Sequence, residues 1–137
     1  MEADGGPLAV TIAGANVPDA HLLEQTIQAI VLERPEPEEG YPQHLCLDKG
    51  YDNEAGWGAC IDHDYEPHIA LIRDARPARP QRYPARRWVV ERTIGWLHQC
   101  RGILIRWERH AENYLGMLKL ACILLWYRRL HRLALLR

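Results

Sequence analysis

Three prolines within eight residues, Pro77, Pro80 and Pro84, stop any regular helix between Arg73 and Arg86. The same segment, RDARPARPQRYPARR, residues 73–87, carries six arginines against one acid, Asp74. An extended chain with arginines at this spacing can follow a phosphate backbone, although a run of like charge is more often only a solvated face. The segment leads directly into residues that do read as a helix. Val90, Ile94 and Leu97 fall at i, i+4 and i+7 and predict an apolar stripe. Arg87, Glu91, Gly95 and His98 share the neighbouring face, because residues three and four apart lie one above the other. On these residues alone, Arg87 and Glu91 read as an ordinary i, i+4 ion pair on a solvated face, worth roughly 0.2–0.5 kcal/mol. A carboxylate on an arginine-rich helix is also a place where phosphodiester chemistry can sit.

Charge is divided sharply along the chain, which the net charge of −1 hides. Residues 1–66 hold fourteen acids against Arg34 and Lys49, whereas residues 67–137 hold fifteen basic residues against four acids. The second half therefore has the electrostatic footprint of a polyanion binder. A length of 137 residues suits one domain with a real core, filled by Leu, Trp and Tyr because Phe is absent. The cysteines at 46, 60, 100 and 122 stand alone, without a C-x-x-C pair, and read as buried thiols of a reducing compartment. Met1 is followed by acids and glycines, so no signal peptide is expected. The longest apolar run, Leu120–Tyr127, is far short of the roughly 20 residues that span a bilayer, and a soluble protein is expected.

Taken in order, PLAVTIA at residues 7–13 predicts a strand entered from the Asp4-Gly5-Gly6 turn, half of a hairpin whose other half would lie before Met1. Asn16, Pro18 and Asp19 predict a capped helix start, and Leu22, Leu23, Ile27, Ile30 and Val31 continue it to about Leu32. Capping accounts for Asp19 better than chemistry does. Residues 33–41 read as a solvated connection. HLCLD, residues 44–48, predicts a buried strand ending in an acid, and its carboxyl end is where ligands of open α/β sheets bind. The competing reading of Asp48 is a turn or cap aspartate.

A short helix is predicted over residues 53–61, capped by Asp52 or Asn53, and a second strand over 68–72. Asp62, His63, Asp64, Glu66 and His68 superficially resemble a metal site, and a zinc-type module over Cys60–His68 ranks last because the spacing fits no ligand pattern. Residues 103–107 are compatible with either a strand or a helix. A final helix from Ala111 carries Tyr114, Leu115, Leu118, Ala121, Cys122 and Leu125 at helical spacing, is expected to pack against the sheet, and ends in arginines that complement its dipole.

Four blocks, PLAVTIAGAN (7–16), LCLDKGYD (45–52), RWVVERTIGWL (87–97) and ILIRWERHAENY (103–114), resemble, in order, those of the DDE transposases of bacterial insertion sequences, specifically the insertion-sequence-five group. The resemblance implies an α/β, RNase H-like fold, a mixed sheet flanked by helices. Three carboxylates of that fold hold two divalent ions, Mg²⁺ or Mn²⁺. Asp48 matches the second catalytic Asp and Glu91 the catalytic Glu. Arg87 matches the arginine of the Arg-x-x-x-Glu motif; His98, seven residues after Glu91, and Tyr83, one place out of step, are weaker matches. Arg86, Arg87, Arg92, His98 and Arg101 are the residues expected to contact DNA, in a protein of the bacterial cytoplasm associated with the nucleoid.

The family's first catalytic Asp lies upstream of the hairpin that contains PLAVTIA. Asp4 aligns with the hairpin turn and does not inherit that role. The expectation is accordingly a partial RNase H-like fold over residues 1–137, lacking the first strands and holding two of three metal-binding acids. Such a chain is a truncated remnant or a second reading frame joined to the first by frameshifting, inactive alone and working with the upstream half and possible further copies of itself. The competing expectation is a non-enzymatic remnant that binds DNA through its basic half.

Overall fold

The computed structural model describes residues 1–38, 40–69 and 87–135, with Arg87 described in its backbone alone. The secondary structure is mixed helix and strand, in two compact units: Ala13–Arg86, and Met1–Ile12 together with Arg87–Arg137. Among the described residues, no helix is long and apolar enough to cross a membrane.

In the first of these units, a 3₁₀ turn at Asp19–Leu22 leads into helix α1, Leu23–Gln28. The helix is shorter at both ends than the periodicity predicts. Val17 N–H donates to Gly14 C=O and Pro18 is extended, with ψ of 137°, so helical geometry starts only after it. Neither Asn16 nor Asp19 caps the turn with its side chain. Beyond Gln28, Val31 and Leu32 are 89% and 60% exposed, and Ile30 is half-buried.

Strand β1, Gln43–Leu47, and strand β2, Tyr65–Ile69, pair in parallel, with His44 opposite Glu66 and Cys46 opposite His68. Parallel neighbours need a crossover, supplied here by helix α2, Glu54–Asp62. Asn53 caps that helix, its Oδ1 accepting from Gly56 N–H at 3.0 Å, and Trp57 Nε1–H donates to Asp52. Asp64 turns the chain with φ of +55°, so β2 begins at Tyr65, earlier than the expected 68–72; residues 70–72 lie outside the described residues. Exposure alternates along β1, which makes it half-buried, not a buried strand. Cys46 is consequently exposed, Cys100 is half-buried, and Cys60 and Cys122 are the buried thiols; all four are free. Arg34 anchors the preceding loop, donating to His63 C=O at 2.7 Å and lying over the Tyr65 ring.

The other unit is helical. Helix α3, Arg87–His98, is followed by a single helical turn, α4, Arg101–Leu104, and by the long helix α5, Ala111–Arg132. Residues 103–107 thus form the end of one helical turn and an irregular exit, not a strand. Leu97, Ile103, Ala121 and Cys122 form the buried cluster, with Val10, Cys100, Leu118 and Leu125 packed on it. Within this unit, the face α5 buries lies against α3, α4 and the N-terminal segment.

The predicted stripe on α3 is rotated by one residue. Val89, Thr93 and Leu97 are buried, whereas Val90 and Ile94 are 40% and 42% exposed. A hydroxyl tolerates this burial because Thr93 Oγ1–H donates to Gly5 C=O at 2.7 Å. Residues 7–13 form no strand, and the backbone acceptors around their start are taken by side chains, Thr93 on Gly5, Arg92 on Asp4 and Trp126 Nε1–H on Pro7. Gly6 lies under Trp126, where a Cβ would come within 2.3 Å of the ring. Thr93→Val removes the donor from a buried carbonyl and is expected to cost about 1–3 kcal/mol, with Thr93→Ser close to the parent, in thermal unfolding.

The N-terminus is also tied down by charge. Arg129 forms ion pairs with Glu2 and Asp4, and Glu2 accepts from the N–H groups of Gly6 and Asp4. Burial pushes the Glu2 carboxyl up, but those two N–H groups and Arg129 outweigh it and hold the acid below its usual 4.5. A carboxyl lowered by folding adds stability above its unfolded value and loses it as pH falls through the folded value. The stability advantage of the parent over Glu2→Gln is therefore expected to be present at neutral pH and to vanish as melts are taken below pH 4.5.

Candidate functional site

Asp48 follows the last residue of β1 directly and is exposed at its carboxyl end. It also caps the 3₁₀ turn Lys49–Tyr51, Oδ1 accepting from Gly50 N–H at 2.7 Å, as the cap reading of this acid expects. The bond orients the carboxylate as it leaves the strand. Tyr51 sits within the turn, its hydroxyl pushed up by burial and then by the charges of Asp19 and Asp48. Asp19, read from the sequence as a cap, thus contributes negative charge to the surroundings of Asp48's turn. Its 3₁₀ turn lies next to that turn, a proximity no local pattern announces.

Glu91 stands on the exposed side of α3, in the other unit, with His98 exposed at the end of the same helix and Arg101 exposed at the start of α4. Arg92 is half-buried between two indoles, its guanidinium 4.7 Å from the Trp88 ring and 4.9 Å from the Trp96 ring. The spacing i−4, i and i+4 stacks the three on one helix face. Arg86 lies outside the described residues, as do Tyr83 and the rest of the 73–85 segment, and only the backbone of Arg87 is placed.

Arg92 and Trp96 form one wall of a groove of about 400 Å³, and Arg128, Arg129 and Arg132 near the end of α5 form another. These last arginines were read from the sequence as dipole complements. Their convergence with α3 depends on packing between helices far apart in sequence. Glu2 and Asp4 offset part of the charge through Arg129.

The polar cluster at residues 62–68 does not converge as a module. Glu66 and His68 instead meet His44 across the strand pair, three potential ligand atoms within 4.8 Å of one another, the one such group among the described residues. Cys60 is buried apart from them, its thiol pushed up by that burial.

An acid after a strand and an acid on a basic helix are common to many folds, and the class of protein is defined by comparison with known families. The family described as Transposase DDE domain matches residues 1–126, and the chain belongs to that family. A relative is the putative transposase for insertion sequence element IS402 of Burkholderia cepacia, 38% identical over 140 residues that cover 96% of this chain and 62% of the relative. The chain thus spans about 62% of the length of the curated relative it matches. No solved structure matches it. The resemblance to DDE transposases of insertion sequences, stated from four sequence blocks, is borne out.

Proposed function

We propose that the chain supplies the second and third carboxylates, Asp48 and Glu91, of a metal-dependent DNA transposase with an RNase H-like catalytic domain. Residues 1–137 are the C-terminal part of that single domain, and the first acid comes from polypeptide outside them. The observation that carries this reading is the exposed Asp48 at the end of β1, its carboxylate oriented by Gly50 N–H, within a family whose chemistry needs an acid there. Both acids offer exposed oxygen donors, the hard ligands that Mg²⁺ and Mn²⁺ prefer. Bound ions of this kind activate an attacking water or 3′-hydroxyl and stabilise the leaving oxygen of a phosphodiester.

The chain's other residues serve the DNA. Arg86, Arg87, Arg92, His98 and Arg101 hold phosphates, which position the duplex without reading its sequence. The groove arginines Arg128 and Arg132 extend this cationic surface along α5. The partners are insertion-sequence ends, target DNA, the polypeptide carrying the first acid, and further copies of the protein, in the bacterial cytoplasm at the nucleoid.

The test is a strand-cleavage assay on insertion-sequence ends with Mg²⁺ or Mn²⁺. The 137-residue chain alone is expected to leave DNA intact while binding it in a salt-sensitive way, and cleavage is expected when the polypeptide carrying the first acid is joined to it. Metal-dependent nicking by the isolated chain that disappears in Asp48→Ala would overturn the incomplete-site part of the proposal.

A further inference from the structure

The geometry points to a second metal site, separate in residues and in ligand chemistry from the catalytic carboxylates: His44, Glu66 and His68 bind one borderline transition-metal ion such as Zn²⁺. The parallel register builds it. His44 lies opposite Glu66, Cys46 opposite His68, and the two-residue period of a strand keeps 44, 66 and 68 on one side of the strand pair. Nε2 of His68 is 2.7 Å from Nδ1 of His44, with the rings at 69° to one another, so the two ring nitrogens face one another as a hydrogen-bonded pair. An Oε2 of Glu66 stands 3.4 Å from the same Nδ1.

In a tetrahedral zinc site with bonds near 2.0–2.1 Å, neighbouring ligand atoms lie about 3.3 Å apart. The carboxylate already has that spacing from His44. The two imidazoles need to part by about 0.6 Å, exchanging a shared proton for a shared ion. His44 and Glu66 are exposed and His68 is half-buried, so the ion has an entry path and its fourth position faces water. Two imidazoles and one carboxylate suit Zn²⁺, Ni²⁺, Cu²⁺ or Fe²⁺ and discriminate against Mg²⁺, which prefers oxygen ligands alone. Bound there, the ion clips β1 to β2 four residues before Asp48 and stiffens the strand that carries it.

Zn²⁺ titrated into the full 137-residue chain, free of any affinity tag, tests this by calorimetry. One equivalent is expected to bind, to resist a hundredfold excess of Mg²⁺, and to bind at least tenfold more weakly in His44→Ala and in His68→Ala. Because those two rings also hold one another, Glu66→Gln at an exposed position serves as the second variant. It is expected to keep the circular dichroism of the parent, weaken Zn²⁺ binding and shift the visible absorption of bound Co²⁺. Cys46→Ser is expected to bind as the parent does. Absence of binding, displacement by Mg²⁺, or Zn²⁺ binding unchanged in both His44→Ala and Glu66→Gln would overturn the proposal.

Discussion

In the complete transposase, Asp48→Asn and Glu91→Gln are each expected to lower DNA strand cleavage by about 10³-fold, equivalent to about 4 kcal/mol of barrier. The amide variants are chosen for a reason visible in the fold. Asn at 48 retains an oxygen that accepts from Gly50 N–H, so the 3₁₀ turn keeps its cap while the charge that would hold a divalent ion is gone. If Asp48 serves only the turn, Asp48→Asn cleaves normally. If it serves the metal, cleavage collapses while the thermal midpoint stays near that of the parent. Glu91 is exposed on α3, so the same separation of activity from stability is expected there. Single-turnover cleavage of a labelled insertion-sequence end, beside a thermal melt of each variant, measures both quantities.

Gly56→Ala is expected to have the largest effect on stability. A Cβ at this position would lie 2.1 Å from the backbone oxygen of Tyr51 and 3.0 Å from its carbonyl carbon. Neither atom is the end of a flexible side chain, so the turn after Asp48 or the first turn of α2 must move. Gly56 also donates the N–H that Asn53 accepts as cap of α2, and any shift weakens that bond too. Overpacking of this kind costs about 3 kcal/mol or more, corresponding to a fall of about 10 °C in the midpoint for a chain of this size. Because the displaced segment is the one that orients Asp48, cleavage by the complete protein at permissive temperature should fall as well. Gly58→Ala, with open space at the equivalent Cβ, is the control and is expected to melt like the parent or slightly above it.

The parts of this fold that were legible in the sequence are those set by short-range rules. The Asn53 cap, the helix after it, the strand just before Asp48, the helix bearing Glu91 and the long terminal helix all follow from caps, propensities and periodicity within a few residues. The misses arise where partners are distant. PLAVTIA has strand composition, but the oxygens of Asp4, Gly5 and Pro7 are claimed by Arg92, Thr93 and Trp126, about ninety to one hundred and twenty residues away. The one-residue rotation of α3 has the same origin, because a polar Thr93 is buried by a carbonyl that no apolar pattern reveals. His44 joins Glu66 and His68 only through strand register, and the α5 arginines reach the α3 groove only through helix packing. For the proposed site, the family resemblance supplied what periodicity did not. An acid after a strand and an acid on a basic helix are common, whereas four motif blocks in order carry the family resemblance from which the roles proposed for Asp48 and Glu91 are taken.

The most direct test of the central claim is metal-directed cleavage of the protein itself. Fe²⁺ replaces Mg²⁺ in the complete transposase, and ascorbate with peroxide then generates radicals that cut the backbone beside each bound ion. Shared ions at Asp48 and Glu91 predict cuts near Glu91 as well as near Asp48. The cuts near Glu91 are suppressed by excess Mg²⁺ and lost in Asp48→Asn, whereas Fe²⁺ held by His44, Glu66 and His68 cuts only the strands beside it. Cuts confined to the His44–His68 strands, or cuts near Asp48 with none near Glu91, would contradict the assignment of these two acids to one catalytic centre.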